Sequence, residues 1–200
     1  MTHAQQAGAP TARAAIRTRP SKDRHSAWTI ALHWATVLAL VLSITAALWR
    51  ELIEDKALRI VLMDVHRQLG LFVLVVLLLR LIVRFSAGLA DHAGEMPVLM
   101  RWAAQLAHVA LYGLLFVMTI LGLAVSNAHA VQIKLFGLIL LPSLVDEDSD
   151  LADMLTDYHV WGAWALLALV LAHAGAACWH HWVRHDGVLT AMLPLLKRKQ

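Results

Sequence analysis

Cysteine is almost missing from this chain. Cys178 stands alone among 200 residues, so no internal disulfide can staple the fold. The absence of any C-x-x-C-H stretch leaves nowhere to attach a haem covalently. Charge is scarce as well: Asp, Glu, Lys and Arg make up 16% of the residues, against roughly 25% in ordinary soluble domains. That excludes a water-soluble globule. No repeat with a period of about 20 to 50 residues stands out, which removes solenoids and propellers.

In place of charge the chain has long apolar runs. Residues 28–48, 102–125 and 158–183 contain no Asp, Glu, Lys or Arg, and each reaches the ~20 residues needed to cross a hydrocarbon layer. A fourth run, 68–83, holds one charge, Arg80, and becomes long enough if its helix begins near Leu58. These runs predict an all-α integral membrane four-helix bundle with spans at about 28–49, 58–84, 101–125 and 156–183. A net charge of +3 and a pI of 9.4 could suggest nucleic acid, but the basic residues flank the spans and do not form a patch. They suit lipid headgroups better.

The charges also orient the chain. Residues 1–25 form a flexible basic tail carrying Arg13, Arg17, Arg19, Lys22 and Arg24, and Lys197, Arg198 and Lys199 make a second tail at 197–200. With Arg80, Arg84, Arg101 and Arg184, these put twelve of the 17 basic residues on one side of four alternating spans. The other side has Arg50, Lys56, Arg59, Arg67 and Lys134 beside the acidic stretch around Asp146, Glu147, Asp148, Asp150, Asp153 and Asp157. Positive residues favour the cytoplasm, so both termini are expected there, in the inner membrane of a bacterium. The first apolar run is followed by three more and reads as a permanent anchor, not a cleaved signal. Trp28, Trp49, Trp102, Trp161, Trp179 and Trp182 fall near span ends, where interfacial aromatics gather. The connection 126–156 contains an apolar stretch, 131–141, too short to span; it reads as an amphipathic loop or as an interfacial lid.

Histidine is the informative residue. Of the 12 present, His33, His66, His108, His159 and His173 fall on membrane helices. Ionisable groups in a span are costly and normally face inward toward partners. His159 and His173 are 14 residues apart on one helix, which is about 21 Å along the axis and within roughly 40° of the same direction. A zinc site would bring its ligands to one centre, whereas this spacing implies two sites stacked across the membrane. Placed by depth, His33, His108 and His173 form an inner layer, and His66 and His159 an outer one. Facing neutral imidazoles are a common way to hold b-type haem in a bundle core, so two layers imply two non-covalent haem b groups. Gly70, Gly162 and Gly175 lie close to these histidines and would admit a macrocycle or simply let helices pack. Arg80, 14 residues after His66, suits a haem propionate at the inner depth, or snorkels. Cys178 reads as a small apolar packing residue.

These positions resemble the bacterial cytochrome b561 family of four-helix di-haem membrane cytochromes over about residues 26–196. The marks are Ala31-Leu32-His33-Trp34, His66-x-x-x-Gly70 with Arg80, His108-x-x-x-Tyr112 leading to Leu121-Gly122-Leu123, and Phe136-Gly137. After them come His159 with His173, His180-His181, Arg184, Asp186-Gly187 and Met192-Leu193-Pro194. Ala191 departs from the pattern, since relatives often carry an arginine there. The resemblance implies that His33 with His173 ligates the inner haem iron and His66 with His159 the outer. It leaves His108 to hydrogen-bond a propionate or a quinone.

The resemblance also implies electron exchange with ubiquinone, for which His180, His181 and Trp182 at the inner surface offer polar donors beside apolar walls. The expected function is a carrier of single electrons between an outer-surface donor and ubiquinone. The family includes a superoxide:ubiquinone oxidoreductase, so superoxide is one expected donor, with Lys56, Arg59, Arg67 and Lys134 to attract it. Two alternatives stand beside this reading: the haem-bearing anchor subunit of a larger dehydrogenase or hydrogenase, and a haem-free metal transporter.

Overall fold

The computed structural model describes residues 26–86 and 97–193; the expected tails at 1–25 and 197–200 and the mark at Pro194 lie outside the described residues. Four long helices dominate: α1 (Ala27–Leu52), α2 (Lys56–Ser86), α3 (Val98–Ala128) and α4 (Ser149–Trp182). They hold 26, 31, 31 and 34 residues, so at 1.5 Å per residue each is about 39 to 51 Å long. All four are apolar enough to cross a membrane, and all are longer than the ~30 Å hydrocarbon core. The expected spans are therefore present, with helix extending past each of them except at the C-terminal end of α4. The largest extension is at the start of α4, which begins at Ser149.

Local chemistry sets these boundaries. Ser26 caps α1 by accepting the Thr29 amide at 3.1 Å, Asp55 accepts the Leu58 amide at 2.9 Å ahead of α2, and Asp148 accepts the Leu151 amide at 2.9 Å ahead of α4. Each satisfies an amide that has no partner within its helix. Hydroxyls inside the spans fold back on their own helices, as in Thr36 to the Leu32 carbonyl and Ser126 to the Gly122 carbonyl. Neither hydroxyl is thereby offered to lipid.

Two small elements complete the fold. In place of the amphipathic segment expected at 131–141 there is a β-hairpin, with β1 (Lys134–Leu135) paired antiparallel to β2 (Ile139–Leu140). Its turn carries positive φ at two successive residues, 50° at Phe136 and 74° at Gly137. Consecutive positive φ values match the twist of a tight hairpin and favour glycine. A short helix, α5 (Val188–Met192), follows α4 and is tied to α1 by the Trp34 indole donating to the Met192 carbonyl at 2.9 Å.

Helix packing is uneven. α1 lies against α2, α3 against α4 and α2 against α3, while α4 makes little backbone contact with α1 or α2. Ala152 and Leu166 are the buried residues of α4. The packed core consists of Ala39, Val73, Leu77, Leu115, Met118 and Leu166, with Leu77 only 1% exposed. Lipid removes the usual hydrophobic drive between helices, so this core is held by close packing and interhelical hydrogen bonds. Large apolar side chains such as Leu38, Ile82, Val109 and Leu171 point outward, as a lipid-facing surface requires.

The position of the core along the bundle matters most for function. Val73, Leu115 and Leu166 each lie seven residues, about 10 Å along the axis, from a histidine layer: from His66, from His108, and midway between His159 and His173. The core is a plug at mid-depth, and the histidines sit above and below it.

Candidate functional site

"Inner" below denotes the end of the bundle where α1 begins and α4 ends, and "outer" the opposite end. The outer layer pairs His66 of α2 with His159 of α4, ring centroids 6.0 Å apart. In the inner layer His173 of α4 stands 6.5 Å from His33 of α1 and 5.5 Å from His108 of α3. The four residues expected as two pairs are therefore brought together as two pairs, across the loosely packed side of α4. All five rings are half-buried.

Each ring can be asked what its nitrogens are free to do. His66 Nδ1 faces the carbonyl of Ser43 at 2.9 Å, with the Ser43 hydroxyl at 3.0 Å. A carbonyl only accepts, so Nδ1 carries the proton and donates, leaving the Nε2 lone pair free. That is how a metal-binding imidazole is usually held, with one nitrogen fixed by a hydrogen bond and the other offered to the metal. His159 Nδ1 is buried without a hydrogen-bond partner, a cost of about 1–3 kcal/mol that a bond at the ring's other nitrogen would offset. A Cβ built on Gly122 would lie 3.1 Å from His159 Cε1, so the glycine of α3 is what lets this ring stand where it does.

The inner layer is more crowded. Arg80 Nη2 donates to His33 Nδ1 at 3.3 Å, and the guanidinium lies 5.2 Å from the centroid of the Tyr112 ring, which it also hydrogen-bonds. A neutral His33 accepting at Nδ1 carries its proton on Nε2, so that nitrogen becomes a ligand only when Arg80 turns to another acceptor. His108 is hydrogen-bonded to the Ala104 backbone one turn earlier on its own helix.

The spacing tests what these pairs could hold. With a metal–nitrogen bond of about 2 Å and about 1.2 Å from nitrogen to ring centroid, two imidazoles on opposite sides of one metal have centroids about 6.3 Å apart. The separations of 6.0 and 6.5 Å fit that arrangement; 5.5 Å between His108 and His173 is short for it. Two neutral imidazoles with no third ligand suit iron in a planar macrocycle better than zinc, which needs four ligands. No cluster of three or more His, Cys, Asp or Glu that could hold a bare metal ion occurs among the described residues.

The glycines divide between the two roles open to them from the sequence. Gly162 serves packing, since a Cβ there would meet Met118 Sδ at 2.5 Å. Gly70 and Gly175 face open space, with nothing within 4 Å of a built Cβ. Gly122, marked in the sequence but given no role, is the one that touches a candidate ligand. Ser43 carried no sequence signal, because a serine in an apolar helix is ordinarily a small packing residue.

At the inner surface His180 Nδ1 meets Asp186 Oδ2 at 2.5 Å. The Val188 amide donates to Asp186 Oδ1 at 3.2 Å, and Arg184 Nε lies 3.8 Å from Oδ2. Burial alone raises the Asp186 carboxyl, but the hydrogen bonds from His180 and Val188 and the His180 and Arg184 charges outweigh it and hold the group below its ordinary value. This carboxylate's contribution is present above the ordinary carboxylate pKa and is lost only as pH falls through the lowered one. His181 stacks edge-on with Trp182 at 6.0 Å, and Trp182 is exposed. The outer cations are partly spent: Arg67 pairs with Asp64 at 2.8 Å and Arg59 with Glu51 at 3.9 Å. Among the described residues, Lys56 and Lys134 make no ion pair.

A profile of the family described as prokaryotic cytochrome b561 matches residues 24–195. The chain is 27% identical to cytochrome b561 homolog 2 of Escherichia coli K12 over 177 residues, covering 86% of this chain and 92% of that one. It is 29% identical to cytochrome b561 homolog 1 of the same organism over 178 residues, 88% and 99%. It is 25% identical over 171 residues, 86% and 96%, to a probable superoxide oxidase of Yersinia pestis.

Proposed function

The chain belongs to the prokaryotic cytochrome b561 family of membrane electron carriers, and from that premise we propose that it binds two haem b groups and passes single electrons between a donor at the outer surface and ubiquinone. His66 with His159 would hold the outer haem, His33 with His173 the inner. The observation that supports this most is the pair of imidazole couples at metal-spanning distance, 14 residues apart on α4, with a packed plug between them. Haem held by these histidines would supply one-electron iron chemistry, a relay and not a substrate site.

The protein's own residues do the rest. Ser43 fixes the His66 ring by its carbonyl, a constraint that survives loss of the hydroxyl. Arg80, which donates to His33, would pair with a porphyrin carboxylate, and that would free the His33 ring to hold iron. The plug of Val73, Leu77, Leu115 and Leu166 excludes water between the layers. His108, held by its own helix, lines the inner site without ligating. At the inner surface His180, His181 and Trp182 would receive the quinone headgroup. A quinone that takes up two electrons also takes up two protons. His180, held at Nδ1 by Asp186, presents Nε2 to a quinone oxygen, so Asp186 acts as a positioning residue. Both termini would lie in the cytoplasm, which places this proton uptake on the cytoplasmic side of the inner membrane.

Superoxide is the donor suggested by the Yersinia relative's description; each molecule oxidised to dioxygen would give one electron, two per quinone reduced. With Arg59 and Arg67 paired to acids, only Lys56 and Lys134 of the four outer cations remain to attract it, so steering is expected to be weak.

The test is reoxidation of the dithionite-reduced holoprotein by a short-chain ubiquinone in stopped flow. His180→Ala should slow it about 100-fold, within the range for loss of a general acid, and Asp186→Asn about tenfold with a changed pH profile. Equal rates in all three proteins would remove the quinone from this end of the bundle.

A further inference from the structure

The hairpin at 134–140 is joined to α2 by one side chain. Gln68 Nε2 donates to the Lys134 carbonyl at 3.0 Å, and Gln68 Oε1 accepts the Phe136 amide at 3.0 Å. The amide side chain acts as a short strand edge, satisfying one backbone acceptor and one donor together.

This clamp fixes the hairpin's depth. Gln68 lies two residues past His66, about 3 Å closer to mid-bundle along α2. The two histidine layers are about 21 Å apart along α4. A hydrocarbon core of about 30 Å centred on the plug extends roughly 4 to 5 Å beyond each layer. Strands bonded to Gln68 therefore lie inside the hydrocarbon boundary, level with the outer imidazole pair.

Non-helical backbone at such a depth needs its polar groups paired, and much of the turn and ladder is. Gly137 and Leu138 amides bond to the Lys134 and Leu135 carbonyls at 3.3 and 3.0 Å, and the Leu141 amide bonds to the Ile133 carbonyl at 3.0 Å. The strands pair Lys134 with Leu140 and Leu135 with Ile139. Asn127, at the end of α3, bonds the Val131 carbonyl and the Leu144 amide and so holds both ends of the segment. The side chains, by contrast, are apolar and uncovered: Leu138 is 86% exposed and Ile139 61%, with Phe136 and Leu140 also exposed. Ile60, Val61 and Val65, on the turns of α2 that precede Gln68, are exposed as well. Lys134, the one charge, has a stem long enough to reach the headgroups.

We propose that this hairpin is a re-entrant element seated in the acyl chains of the outer leaflet, with Gln68 pairing two of its backbone groups, the Lys134 carbonyl and the Phe136 amide. Acyl chains cover Phe136, Leu138, Ile139 and Leu140 as they cover the adjoining face of α2. The outer imidazole pair is thus walled on that side by a lipid-embedded strand pair.

The experiment uses the full chain with Cys178→Ala and a single reporter cysteine at Leu138→Cys, a site exposed enough to tolerate the change, or at Asp150→Cys as an aqueous control. Each is labelled with an environment-sensitive nitrobenzoxadiazole and reconstituted in phosphatidylcholine vesicles. A nitroxide on the lipid acyl chain should quench the label at 138 several-fold more than aqueous iodide does, with the reverse at 150. Adding Gln68→Leu should raise iodide quenching at 138 at least twofold. Iodide quenching at 138 equal to that at 150 overturns the insertion. An unchanged value in the Gln68→Leu protein, folded by its circular dichroism, overturns the role of the clamp.

Discussion

Alanine at His66 or at His159 halves the haem recovered per chain, from two to one, and alanine at His33 or at His173 does the same. Alanine at His108 leaves both groups in place. The expectation rests on distance. Among the described residues no third imidazole pairs with His66 or His159, so loss of either would leave the outer site one ligand short. In the inner layer His108 is close enough to tempt exchange, but its 5.5 Å separation from His173 is short for a metal between them, and its hydrogen bond to the Ala104 backbone holds it to α3. Haem extracted from purified variants as the pyridine adduct, divided by protein, measures the stoichiometry. Loss of one haem in His108→Ala with both kept in His33→Ala would exchange the roles of those residues. Ser43→Ala should keep both groups, because the bond to His66 Nδ1 from Ser43 comes from the backbone.

The second large effect is expected at Gly122. Even a single carbon there would lie 3.1 Å from His159 Cε1, and a leucine adds three more. Overpacking a tight contact costs typically about 1–3 kcal/mol, and here the strain falls on a ligand. Gly122→Leu is therefore expected to lose the outer haem while keeping the inner, and to keep its helix content. The same change at Gly70, where a Cβ meets nothing within 4 Å, should leave the helical fold intact. Absorbance in the Soret region per unit protein, with circular dichroism for helix, separates these outcomes. Full haem content in Gly122→Leu would mean that His159 stands elsewhere in the holoprotein.

Much of this architecture was legible because the membrane is a demanding solvent. Apolar runs of spanning length gave the four helices, and the cost of placing imidazoles in hydrocarbon made five buried histidines informative. The 14-residue spacing of His159 and His173 put them in two layers before any contact was known. What the sequence could not carry was pairing across helices. Ser43 and His66 are 23 residues apart, and nothing in an apolar helix distinguishes a serine whose carbonyl will orient a ligand. Asp186 reaches back to His180 only because the chain turns after Trp182. The apolar stretch 131–141, too short to span, reads in the sequence as an amphipathic loop or an interfacial lid; the hairpin within it is shaped by positive φ at Phe136 and the distant clamp from Gln68. The plug at mid-depth is visible in retrospect as apolar residues seven positions from His66, His108, His159 and His173, a pattern that any apolar helix also satisfies.

The most direct test of the central claim is the dithionite-reduced minus oxidised spectrum of the purified full chain, with haem and protein quantified on the same sample. Two b-type haems per chain, low-spin in both oxidation states as six-coordinate bis-imidazole iron requires, are expected. A colourless protein obtained from cells well supplied with haem, or one haem per chain that survives loss of His66 and of His173 alike, would contradict it.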